Sequence, residues 1–301
     1  MKFEHLQGSI VAMITPYHPD GSVNFEVLTQ LLERQIAEGT DGILVLGSIG
    51  EFFGLTMEQK KELIAFAKKV VDGRVELIAG TTSMILEEIV ELSNYALEQG
   101  LDAVMVIPPY YFHFTEESVF QYYDELAQRI NGKLYLYNFP DRTGYDITPA
   151  TVRKLAEKHS NIVGIKDTLG GVDHTREIIK QVRDIRPDFR VYSGFDDNFA
   201  HNILCGGSGC IAGISNLYPE LTSGWVKALR GGDFAKGQEY QQKIDKLMDI
   251  YGVGKPFVPF IKEAMAYKGI ISHATATKPM PVATEAQKEQ LKAILAAHEN
   301  A

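Results

Sequence analysis

Cysteine and long apolar runs are both scarce in this 301-residue chain, and each shortage excludes something. The two cysteines, Cys205 and Cys210, supply no disulfide framework and no CxxC spacing. Their expected state is a pair of reduced thiols in a cytosolic chain. No apolar stretch approaches the ~20 residues that a membrane helix needs. The opening Met1-Lys2-Phe3-Glu4-His5 has no apolar targeting core, so the expected location is cytoplasmic. Positive charge is short too: 30 Lys plus Arg face 39 Asp plus Glu, a net −9. An acidic chain without a basic run offers nothing to nucleic acid or an anionic membrane, so neither is an expected partner. An anionic substrate would then need a locally cationic site. The eight histidines are scattered, without HExxH or a tight His/carboxylate cluster, and no metal site is expected.

What the chain does have is alternation. Near-continuous apolar runs predict strands at 9–15, 42–47, 75–81, 103–108, 134–139, 162–168, 190–195 and 210–214. Unbroken apolar runs of this kind belong to parallel strands covered on both faces. Amphipathic segments between them predict helices at 25–37, 57–71, 86–99, 116–129, 149–159, 173–185 and 197–204. Thr56 and Gln59 stand at capping-box spacing, and Thr148-Pro149 places proline at a first helical position. Eight strands alternating with helices predict a closed α/β fold, a (β/α)8 TIM barrel. An open doubly wound sheet would need a glycine-rich phosphate turn after the first strand, where Thr15-Pro16-Tyr17-His18 stands instead. From residue 217 the pattern is helical to the end. The expected organisation is a barrel core over 1–216. Helices over 217–301, including the last barrel helix, pack on it as an appendage rather than a separate domain.

Barrel chemistry sits at the carboxyl ends of the strands. Lys166 interrupts the buried run Ile162-Val163-Gly164-Ile165, where desolvation disfavours an ammonium and favours a nucleophilic neutral amine. Such lysines form Schiff bases with carbonyl substrates. Alternatively, Lys166 is a strand-end lysine paired with Asp167. Tyr137 ends the neighbouring strand, where its hydroxyl can relay protons if tuned by partners such as Ser48 and Tyr111. Gly47-Ser48-Ile49-Gly50 offers consecutive backbone N–H groups suited to a carboxylate. Gly206-Gly207-Ser208-Gly209 precedes the eighth strand, on the stability face, and is not read as a site.

The motifs GSIGE (47–51), PPYY (108–111), YNFP (137–140) and GIKDT (164–168) stand in order at successive strand ends. With them the chain, from about Gly8 through its C-terminal helices, resembles the dihydrodipicolinate synthase / N-acetylneuraminate lyase family of class I aldolases. The resemblance implies Lys166 as the imine-forming lysine for pyruvate, Tyr137 as the proton shuttle and Ser48 beside it in the relay. It implies that Tyr111 reaches across a dimer interface into a neighbour's site. It further implies a homotetramer built as a dimer of dimers, with no metal and no separate cofactor. Ser48-Ile49-Gly50 matches the carboxylate cradle, although Ile49 replaces the usual second hydroxyl and leaves only its backbone N–H.

The second substrate is less uniform in what the resemblance implies. Arg142, in Asp141-Arg142-Thr143-Gly144, resembles the arginine that holds a second carboxylate in the synthases. Thr168 and the Gly194-Phe195-Asp196-Asp197 segment resemble the polyol contacts of sugar-acid aldolases, and Ile211 completes the implied substrate-binding set. Sialate lyases usually carry serine where this chain has Gly213. The reading is a class I aldolase that splits a 2-keto-3-deoxy sugar acid into pyruvate and an aldehyde. The alternatives are 4-hydroxy-tetrahydrodipicolinate synthase, N-acetylneuraminate lyase and a non-catalytic keto-acid sensor on the same fold.

Overall fold

The computed structural model describes residues 5–299. Eight strands form a closed parallel barrel in sequence order, β1 (Gly8–Ala12), β2 (Gly42–Val45), β3 (Glu76–Gly80), β4 (Ala103–Val106), β5 (Leu134–Asn138), β6 (Ile162–Asp167), β7 (Arg190–Ser193) and β8 (Gly209–Ala212). Pairing of β1 with β8 closes the ring. Each strand is shorter than its apolar run because the last residues of the run leave the ladder and become site loops. The helices are α1 (Phe25–Glu38), α2 (Met57–Val71), α3 (Leu86–Glu98), α4 (Glu116–Arg129), α5 (Pro140–Thr143), α6 (Pro149–Lys158), α7 (Asp173–Arg183), α8 (Phe199–Leu204), α9 (Pro219–Arg230), α10 (Phe234–Leu247), α11 (Val258–Tyr267) and α12 (Glu285–Glu299). None is long and apolar enough to cross a membrane, among the described residues.

Local sequence accounts for several boundaries. Thr56 and Gln59 close a reciprocal capping box on α2, and Thr148 caps α6 just before Pro149. The one-turn α5 was not legible as a helix, being too short for any 3.6-residue periodicity. Ser208, in the glycine turn before β8, accepts a hydrogen bond from the Val191 N–H through its hydroxyl, while Asn202 bonds Gly209 N–H. That turn is occupied with holding two strands together. At the same end of the barrel Arg190 meets Glu76 at 2.8 Å and donates to the Tyr135 hydroxyl at 3.0 Å.

α9 packs beside α1 and β1 and completes the ring of helices; α10 packs on α9, α12 on α10, and α11 on α12. The tie between this helical tail and the barrel is ionic. Glu51, in the loop after β2, pairs with Lys262 on α11, and both side chains are fully buried. The other carboxylate oxygen of Glu51 accepts from Thr277 N–H at 2.7 Å and Thr277 Oγ1 at 2.8 Å. Lys262 donates to the Thr275 carbonyl at 2.9 Å and lies 4.3 Å from the centroid of the Tyr17 ring. Burial lowers the pKa of Lys262 even with Glu51 opposing it.

A second buried carboxylate corrects a sequence expectation. Asp196, counted among the polyol contacts, is 1% exposed and turned inward. It accepts from Gly213 N–H at 3.2 Å, Ile214 N–H at 3.1 Å and the Tyr251 hydroxyl at 3.1 Å. It therefore fastens the loop after β8, whose N–H groups have no strand partner there. Burial, only partly offset by these donors, raises its pKa to about 6.

Two stability measurements test these ties. Lys262→Met leaves Glu51 buried and unpaired, with an expected cost of about 3–5 kcal/mol in urea unfolding. The double variant Glu51→Gln/Lys262→Met should recover part of that loss; equal stability of single and double variants would show the pair is not coupled. For Asp196 the folded pKa lies above the ordinary aspartate value of 3.8. The folded state thus holds this proton more tightly, and its contribution to stability is complete below that value and lost as pH rises through about 6. Compared over this pH range, Asp196→Asn should lack that downward slope.

Candidate active site

β6 presents successive side chains to opposite faces. Asp167 faces outward and is consumed there, accepting from Asn138 Nδ2 at 2.9 Å, Thr175 Oγ1 at 2.5 Å and His174 Nδ1 at 3.1 Å. Burial opposes the charged form of His174, but the bond to Asp167 and its charge outweigh burial and raise the histidine pKa. Lys166 faces the barrel interior, 4% exposed, and Asp167 is not its partner. Among the described residues no carboxylate forms an ion pair with Lys166. Its Nζ lies 4.6 Å from the centroid of the Tyr137 ring, on the residue paired with it across β5 and β6. The Tyr137 hydroxyl stands 3.3 Å from Ser48 Oγ. A buried amine, a phenol and a hydroxyl thus share one end of the barrel, at the carboxyl ends of β2, β5 and β6.

Lys166, Tyr137, Ser48, Ile49, Thr168 and Gly194 line a single cavity. The N–H groups of Ile49 and Gly50 have no hydrogen-bond partner among the described residues, which leaves two donors free at its edge. The Ile49 side chain is buried. A Cβ added at Gly213 would stand 2.8 Å from Ile49 Cδ1 and 2.1 Å from the Tyr251 hydroxyl. Serine at 213 is therefore excluded by packing, and Ile49 fills the space instead. The Thr168 hydroxyl is buried without a partner, and a Cβ at Gly194 would fall 1.8 Å from it. Glycine at 194 is what leaves Thr168 its position on the cavity wall.

The remaining expected residues lie elsewhere. Arg142 lines an outer vestibule that shares Ser48 and Phe257 with the inner cavity, its guanidinium 4.9 Å over the Phe139 ring. Ile211 is buried in β8 and outside the cavity lining. Asp197 is a correction like Asp196: it is exposed, lines neither space, and feels Asp245 of α10. Tyr111 is 79% exposed, edge-on to Phe112 at 4.9 Å, and touches neither Ser48 nor Tyr137 in the isolated chain.

Sequence reasoning missed Tyr251 and Phe257, which come from the segment joining α10 to α11 and close the cavity. They lie far beyond the last strand in a stretch that reads only as helical tail, so no sequence signal marks them. Phe139 and Phe195 also line the cavity. Both flank motif residues and were legible as neighbours, though not as walls.

Residues 5–298 match the model of the dihydrodipicolinate synthetase family. The chain is 36% identical over 290 residues to the Escherichia coli K12 protein named "Probable 2-dehydro-3-deoxy-D-pentonate aldolase YjhH", covering 96% of each. It is 35% identical to a 4-hydroxy-tetrahydrodipicolinate synthase of Kosmotoga olearia, covering 95% of this chain and 96% of that one. Among solved structures, YagE of Escherichia coli K12 in complex with pyruvate superposes with a TM-score of 0.94 at 37% identity, covering 97% and 98% of the two chains. A match across nearly the whole chain, on a barrel with a buried lysine at the end of β6, leads to one assignment: this protein belongs to the dihydrodipicolinate synthetase family of carbon–carbon lyases.

Proposed function

We propose that the chain is a class I aldolase that reversibly splits a 2-keto-3-deoxy sugar acid into pyruvate and an aldehyde through an imine on Lys166. The observation that carries this reading is the Lys166 amine, buried, without a carboxylate partner and facing the Tyr137–Ser48 pair. Pyruvate's carboxylate takes the free N–H groups of Ile49 and Gly50. Lys166 attacks the keto carbon, Tyr137 moves the protons of carbinolamine collapse, and the imine nitrogen accepts electrons as the carbon–carbon bond breaks. The imine is itself the electron sink, so the reaction calls for no metal and no separate cofactor. Thr168 offers its unpartnered hydroxyl to an oxygen of the substrate, which favours a hydroxylated acid, as does the substrate in YjhH's name.

A second reading, condensation of pyruvate with aspartate semialdehyde, is favoured by Arg142, whose guanidinium has no carboxylate partner among the described residues. We read Tyr111 as completing the relay of a neighbouring copy within a homotetramer built as a dimer of dimers. Its exposure beside Tyr110 and Phe112 supports that role. A cytoplasmic location accords with two free thiols.

Borohydride added with pyruvate should leave a reduced pyruvyl adduct on Lys166, seen by peptide mass spectrometry; its absence would sink the mechanism. A panel of 2-keto-3-deoxy acids, N-acetylneuraminate and aspartate semialdehyde then decides the acceptor. Semialdehyde activity that disappears in Arg142→Ala would favour the synthase. Subunit crossing is tested by mixing Lys166→Ala with Tyr111→Phe. Each alone should lose most activity, and refolding an equal mixture should restore about a quarter of the parental rate, since half the dimers are hybrids with one complete site. Unmixed and mixed samples of equal activity would show that Tyr111 serves no neighbour.

A further inference from the structure

The turn that offers the Ile49 and Gly50 N–H groups is bracketed by two residues in the left-handed backbone region, Leu46 at φ 57° and Glu51 at φ 56°. A residue with a side chain keeps that conformation only where its surroundings fix it. From the barrel the fixing is local. Thr15, in the loop after β1, donates its hydroxyl to the Gly50 carbonyl at 2.7 Å, and the Glu51 N–H donates to the Ser48 carbonyl at 3.2 Å. From the other side it comes through the Glu51 carboxylate, out of the stretch that follows α11.

Thr277 is the decisive contact there. Standing 226 residues along the chain, it donates its N–H and its hydroxyl to one oxygen of Glu51, at 2.7 and 2.8 Å, while Lys262 pairs with the other. Lys262 also donates to the Thr275 carbonyl at 2.9 Å, so residues 275–277 grip both partners of the buried pair. Thr277 is seated against the backbone as well. A Cβ added at Gly54 would fall 2.5 Å from its hydroxyl, and the Gly54 N–H donates to the Glu51 carbonyl at 2.9 Å. None of these bonds involves Lys166 or Tyr137. What they hold is the backbone that carries the two free donors. Lys262 meanwhile offsets the charge of a carboxylate standing one residue beyond Gly50, where it would otherwise oppose an anion.

We propose that Thr277 is a positioning residue for the reaction: through Glu51 it sets where the Ile49 and Gly50 N–H groups meet the carboxylate of the keto acid. This role rests on the imine reading of Lys166 and on the turn as the carboxylate site. N–H donors lose strength steeply as they tilt off line, and a binding constellation has to be held within about 0.5 Å of its productive geometry. A Glu51 side chain released from Thr277 lets its backbone leave the left-handed region and swings the Gly50–Glu51 peptide with it. Lys166 keeps its place, since β6 is held by β5 on one side and β7 on the other. The C-terminal tail thus tunes affinity for the keto acid without touching it.

The test traps the imine on Lys166 with borohydride in the full-length enzyme, using pyruvate and, separately, acetone, which has the keto group but no carboxylate. Thr277→Val is isosteric, removes the hydroxyl bond to Glu51 and keeps the N–H bond. It should slow labelling by subsaturating pyruvate about fivefold, the scale of one hydrogen bond to a charged group, and leave labelling by acetone unchanged. Thr277→Ser keeps the hydroxyl and should label as the parent does. Gly54→Ala, which drives a methyl group against Thr277, should reproduce the Thr277→Val pattern. In steady state the loss should fall on KM for pyruvate, with kcat retained. A parallel drop with both ketones would make Thr277 a residue of general stability and overturn the proposal. Pyruvate labelling of Thr277→Val at the parental rate would overturn it too. No adduct on Lys166 in the parent overturns the imine reading, and this inference with it.

Discussion

The structure turns on one buried ion pair. Glu51 and Lys262 are both withdrawn from water, and neither is tolerable there without the other. Glu51 follows directly on Ser48-Ile49-Gly50, the turn that carries the free N–H groups, and it sits in the left-handed backbone region at φ 56°. Lys262 belongs to α11, beside Phe257 and Val258, which wall the substrate spaces. Thr275 and Thr277 extend the same knot toward Met280. The turn after β2 and the helical tail are thus held as one body, and the tail is part of the cavity wall rather than an ornament on the barrel.

A similar logic runs through β6 and β7. Lys166 has no acidic partner because Asp167, one residue on, is turned to the opposite face and saturated by Asn138, His174 and Thr175. Asp196 is turned inward to hold Gly213 and Ile214. Asp167 and Asp196 are thus both bound to the scaffold, and neither pairs with the Lys166 amine. What remains at the cavity is a lysine, hydroxyls, free N–H groups and aromatic walls. An anionic keto acid meets no acidic side chain on the lining of that cavity.

The barrel was legible because parallel strands buried on both faces leave continuous apolar runs, and eight of them alternated with amphipathic helices. Thr56, Gln59, Thr148 and Pro149 are local devices whose effect depends on near neighbours, so their spacing was enough to place two helix starts. Lys166 stood out for a related reason, a cation within a run that has to be buried. The acidic pair misled, since two adjacent aspartates at a strand end look alike whether they face a ligand, a backbone N–H or another helix. Ile49 and Gly213 were each read alone, although the Ile49 sec-butyl group and the Tyr251 ring together fill the space that a side chain at 213 would take.

By itself, then, the sequence determined the strand–helix alternation, the barrel, and the lysine and tyrosine on adjacent strand ends, because each of these follows from periodicity or from the cost of burying a charge. Only the tertiary structure decided which side of β6 the charges take, what Asp196 binds, and that Tyr251, Phe257 and Met280 of the tail wall the site. Those are contacts between segments more than a hundred residues apart in several cases, set by how the helices pack, and no local pattern encodes them.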